Sequence, residues 1–73
     1  MNIIAMRAEQ RAGKINELIK IIESIENIDY KKLIDETCFK QKISRRTAME
    51  YIGIAITQAN KEILTVEGMK IIK

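Results

Sequence analysis

The stretch Ile43-Ser44-Arg45-Arg46-Thr47-Ala48-Met49-Glu50-Tyr51-Ile52 decides how this chain folds. Ser44 is a helix N-cap by residue type, because its short side-chain oxygen can accept from the free amides of a first turn. From Arg45 to Gln58 the apolar positions recur at helical spacing, and Ala48, Tyr51, Ile52, Ala55 and Ala59 share one face. Arg46, Glu50, Gly53 and Thr57 form the opposite, polar stripe, flanked by Arg45 and Met49. Ile54 and Ile56 broaden the apolar side, so one of them is left for exposure or for a partner. Asn60 predicts a left-handed stop. The segment is therefore a helix that buries one face and presents the other.

Upstream, Lys40-Gln41-Lys42 breaks the period and reads as a turn. Before it, Asp29 caps a second helix whose Tyr30, Leu33, Ile34, Thr37 and Cys38 point inward. Lys31, Lys32, Asp35 and Glu36 of that helix face water, and Cys38 is a small buried residue where the second helix meets the third. Earlier still, Ile15, Leu18, Ile19, Ile22 and Ile25 line one face of a first helix over about residues 5–25, with Ala5, Ala8 and Ala12 carrying the spacing past Gly13. Downstream the period changes. Glu62–Val66 and Met69–Lys73 are β-prone runs joined by Glu67-Gly68, an acid-Gly pair suited to a tight hairpin. A lone hairpin is marginal in water, so it must lie against the helices. The fold class is mainly α with a C-terminal β-hairpin.

Composition sets the remaining bounds. At 73 residues there is room for one small domain, and 47% hydrophobic with 32% charged residues predicts that it folds. With no histidine and one cysteine, there is no disulfide framework, no Cys/His metal site and no imidazole catalysis to expect. No nucleophile–base pair or acid cluster stands out either, so the expectation is a protein that is not an enzyme and takes no cofactor or small-molecule substrate. No apolar run approaches the ~20 residues of a membrane span, and Met1–Met6 lacks a signal peptide's basic leader, so the expected location is cytoplasmic. Abundant Ile, Lys and Glu suit an AT-rich genome or a thermophile. Residues 1–39 carry six Lys/Arg and seven Asp/Glu, a charge of −1, whereas residues 40–73 carry seven and three, a charge of +4. That asymmetry points to a polyanion partner for the second half.

The element order resembles a winged helix-turn-helix domain, three helices plus a wing, over residues 13–73. The most specific part is 43–52, which looks like the recognition helix of small archaeal and bacterial winged-helix regulators. In that family an apolar residue ends the turn, Ser or Thr caps the helix, basic residues fill its first turn, and an apolar pair anchors it where Ala48 and Ile52 stand here. The resemblance implies a transcriptional regulator that inserts its third helix (44–58) into the major groove of double-stranded DNA. Two positions depart from the family. Gln41 and Lys42 stand where many such turns have Gly, so a residue with a side chain must turn left-handed. Glu67 at the hairpin tip repels phosphate, which leaves Lys61 and Lys70 to carry any wing contact.

The expected DNA-binding residues are Lys40, Lys42, Ser44, Arg45, Arg46, Met49, Glu50, Gly53, Lys61 and Lys70. Arginine can pair bidentately with guanine or hold phosphate, and two cations at a helix start oppose the helix dipole, which suggests a nearby anion. Gly53 costs about 1 kcal/mol against Ala inside a helix, so it invites either close approach of a DNA strand or close packing of another helix. Residues 1–12 are a helical extension, and Ile3, Ile4, Ala8, Arg11 and Ile15 fall on a coiled-coil-like seam expected to build a homodimer. The alternative is a winged-helix protein-interaction module that pairs through the first helix or the hairpin. Its marks would be an apolar patch around Met49, Ile54 and Ile56, and arginines tied up in intramolecular salt bridges.

Overall fold

Local signals set most of the chain's course. A computed structural model describes the backbone of residues 3–73 and the side chains of residues 11–73. Helix α1 runs Ile3–Ser24, α2 runs Tyr30–Gln41 and α3 runs Arg45–Gln58. Three short strands, β1 (Ile28–Asp29), β2 (Ile63–Val66) and β3 (Met69–Ile72), form one antiparallel sheet in the order β1-β3-β2. The architecture of the described residues is mainly helical, with the small sheet closing one end.

Each helix end has an identifiable cause. Asp29 accepts from the Lys32 amide at 3.2 Å and starts α2, and Ser44 accepts from the Thr47 amide at 3.2 Å and starts α3. At the other end of α2, Lys42 adopts φ 53°, so the side-chain-bearing left-handed residue of the turn is Lys42 and not Gln41. Asn60 stops α3 with φ 61°. The Asn60 amide donates to the Thr57 carbonyl at 3.2 Å and the Lys61 amide to the Ile56 carbonyl at 3.0 Å, the paired bonds of a Schellman motif. At the hairpin, Glu67 (φ 52°) and Gly68 (φ 80°) are both left-handed, as a tight turn that matches strand twist requires.

The core gathers Ile15, Leu18 and Ile22 of α1, Leu33 and Ile34 of α2, and Ala48, Ile52, Ala55 and Ile56 of α3. Ile72 is the one hairpin residue in that cluster, 1% exposed. Helix α3 packs on both α1 and α2, so its buried face joins the domain together. Cys38, Tyr51 and Ile54 are partly buried against the same cluster.

Two expectations change. Ile25 is 53% exposed, because α1 ends at Ser24 and Asn27, at φ 57°, turns the chain away. Ile15 is a core residue, 9% exposed, so its side chain serves the domain's interior and not a surface seam. The hairpin meets the helices through β3, which contacts α2, sends Ile72 into the core and pairs with β1 in the register Ile28 to Ile72 and Asp29 to Ile71, while all four residues of β2 are exposed. Of the other seam residues, the side chains of Ile3, Ile4 and Ala8 lie outside the described residues. No described helix is long and apolar enough to cross a membrane.

Candidate nucleic-acid interface

The outward face of α3 follows from what its inward face does. With Ala48, Ile52, Ala55 and Ile56 buried, helical geometry forces Arg45, Arg46, Met49, Glu50, Gly53 and Thr57 to the surface, and all six are exposed. Ser44 and Thr47 lock the start of the helix, since the Ser44 hydroxyl also donates to Thr47 Oγ1 at 2.9 Å. The two arginine side chains therefore leave a fixed helix end at the surface.

Arg45 is not free. Its Nη1 donates to Asp35 Oδ1 of α2 at 2.5 Å, and the two side chains remain 53% and 55% exposed. This is the only ion pair among the described residues, so Arg46 carries none there. A half-exposed pair contributes about 0.2–1 kcal/mol to stability. It also answers the dipole conflict seen in the sequence, because a carboxylate sits beside the positive end of α3.

Two surface grooves flank the face and share Met49 as the ridge between them. The first, about 450 Å3, lies between the starts of α2 and α3 and the hairpin tip; Lys31, Arg45 and Lys70 bring positive charge to it, over apolar walls of Ile34, Met49 and Met69. Lys70 extends across the Tyr30 ring, with Nζ 6.0 Å from the centroid. The second, about 490 Å3, runs along α3 past Glu50, Gly53 and Thr57 to Arg11 of α1. Arg11, read from sequence as a dimer residue, lies 5.6 Å above the Tyr51 ring of its own chain and borders this groove.

The expected site residues thus divide. Ser44, Arg45, Arg46, Met49, Glu50 and Gly53 share the α3 face, and Lys70 approaches its amino end across the first groove. Lys40 and Lys42 are exposed at the α2–α3 turn. Lys61 is apart from them, half-buried at the hairpin base beside Ile25, Glu26 and Asn27. Sequence reading missed Lys31, Asp35 and Tyr30. Lys31 and Asp35 were visible only as water-facing residues of α2, and no local signal tells which water-facing residue meets another helix.

Of the two marks of the interaction-module alternative, the intramolecular arginine salt bridge is met at Arg45 and not at Arg46 among the described residues, and the apolar exposure is not where that alternative put it. Ile56 is in the core and Ile54 is half-buried, so Met49 (44% exposed) stands alone on α3. Leu64, Val66 and Met69 of the hairpin are exposed instead, with Leu64 opposite Ile71 and Val66 opposite Met69 across the strands. Comparison with known proteins adds nothing to this geometry: no protein-family model, no curated protein and no solved structure matches the chain.

Proposed function

We propose that this chain is a winged helix-turn-helix DNA-binding protein, a transcriptional regulator that places α3 in the major groove as a homodimer on a near-palindromic site. The observation that supports the reading best is the division of α3. One face is consumed by the core, and the other, opening with the half-exposed, ion-paired Arg45 and with Arg46, is left without a covering element among the described residues. A recognition helix needs that division, because the same helix must be anchored to its domain and offered to the bases. The order of helices and strands and the hairpin tip beside the starts of α2 and α3 support it further. In this reading Arg45, Arg46, Met49, Glu50 and Gly53 face the groove, while Lys31, Lys40, Lys42 and Lys70 hold the backbone.

Four lysine–phosphate contacts per protomer, eight in the homodimer, correspond to a slope of about −7.2 in log affinity against log salt, roughly a 20,000-fold loss between about 50 and 200 mM. Fluorescence anisotropy with a random-sequence duplex at those two salt concentrations measures it. The Arg45→Ala, Arg46→Ala double variant is expected to lose ~1–3 kcal/mol for each base contact removed. Unchanged binding by the double variant refutes the assigned face.

The hairpin supports a second reading, an interaction module, through the exposed pair Val66–Met69 and the neighbouring exposed Leu64, which stands opposite the half-buried Ile71. A chain that bound no duplex at low salt, yet self-associated in a manner abolished by Val66→Lys, would favour it.

A further inference from the structure

Asp35 could have paired within its own helix, with Lys31 one turn earlier, yet it reaches across the turn to Arg45. The contact joins two residues ten positions apart and leaves both half in solvent, so it fixes a side chain at the surface and does not support the core. Only Nη1 of Arg45 is engaged, which leaves the donors on Nη2 and Nε unused. The neighbouring Arg46 has no such partner among the described residues. The arginine pair that looks uniform in sequence is therefore one held guanidinium and one loose guanidinium.

We propose that Asp35 is a specificity-determining positioning residue, holding the Arg45 guanidinium in a single orientation so that its remaining donors read one base pair. The inference rests on the DNA-binding reading above. A free arginine loses rotamer freedom when it forms a two-bond contact with guanine, and an arginine already held in place loses less. The same carboxylate is a negative charge at a phosphate-facing surface, so it weakens generic binding to any duplex. Asp35 thus acts in opposite directions: it favours the cognate base pair and disfavours DNA at large.

The opposite signs make the proposal testable against a merely structural role. A pool of duplexes with a randomised core is selected on the wild-type chain, and the enriched duplex and a scrambled duplex are then titrated with wild type, Asp35→Asn, Arg45→Ala and the double variant. Asp35→Asn should keep the fold, as circular dichroism would show, because the pair it breaks is half-exposed. It should bind the scrambled duplex as tightly as wild type or tighter, and lower the ratio of enriched to scrambled affinity by roughly 5- to 150-fold, the range of one good base contact. Its reselected pool should lose preference at the same base pair that Arg45→Ala loses, and the double variant should be no less selective than Arg45→Ala alone. An unchanged affinity ratio in Asp35→Asn overturns the assignment, as does a strictly additive double variant. A wild-type chain that enriches no duplex overturns the DNA-binding reading itself, and this inference with it.

Discussion

Gly53 gives the sharpest test of how stability and function divide on α3. It sits mid-helix with ordinary helical φ, and a Cβ placed there would meet no heavy atom within 4 Å. Among the described residues no intrachain helix packing requires a glycine there, and Gly53→Ala should recover the helix-propensity difference of about 0.8–1.0 kcal/mol. The Thr57 hydroxyl, which donates to the Gly53 carbonyl at 3.1 Å, does not need the missing side chain. A chain of 73 residues has an unfolding entropy near ~0.15 kcal/mol per kelvin, so the gain corresponds to a rise in Tm of about 5–7 °C. Gly13→Ala is a matched control, since a Cβ at Gly13 of α1 also meets nothing. Thermal and urea unfolding should show similar stabilisation for both variants, with m unchanged. Anisotropy with random duplex should then separate them. Gly53→Ala, carrying a methyl on the outward face, should bind at least roughly tenfold more weakly, a loss of about 1.4 kcal/mol, and Gly13→Ala should bind as wild type does. If Gly53→Ala fails to stabilise, the propensity argument is wrong; if it stabilises and binding is untouched, α3 does not approach DNA at Gly53.

Other substitutions test the frame that holds the face in place. Ile52→Ala empties a site that is 0% exposed and should cost about 2–5 kcal/mol, comparable with the ~3–5 kcal/mol a core of this size supplies. Circular dichroism at 25 °C should show a largely unfolded chain; a cooperative melt near the wild-type temperature would contradict the assigned core. Ser44→Ala removes the acceptor for the Thr47 amide and should destabilise by ~1 kcal/mol in urea, whereas Ser44→Asp should keep the stability. Lys42→Gly relieves a left-handed residue at φ 53°, worth about 1–2 kcal/mol, against about 0.4–1 kcal/mol of added unfolded-state entropy. The net rise of ~0.5–1 kcal/mol should appear as a higher Tm.

Much of the architecture was legible because its causes lie within a few residues of each other. Asp29, Ser44 and Asn60 end or begin helices through bonds to amides and carbonyls three positions away, so residue type and position suffice to place them. The Glu67-Gly68 turn is local in the same sense. The faces of α2 and α3 followed from period alone, since a helix that buries Leu33, Ile34 and Thr37, or Ala48, Ile52 and Ala55, has no freedom over what it exposes. Strand β1 was not legible: two residues carry no period, and Ile28-Asp29 becomes a strand only because β3 lies beside it.

What tertiary structure alone decided concerns partners across elements. Arg45 meeting Asp35, Arg11 lying over Tyr51, and Lys61 standing apart from Lys70 all depend on how α1, α2, α3 and the hairpin are set against one another. The amino-acid sequence by itself determined where each element starts, stops and turns its apolar side, because caps, turns and periodicity are short-range. Which charges pair and which remain open was settled by the packing of those elements, since a few ångströms of helix placement bring a carboxylate within reach of a guanidinium or leave it in water.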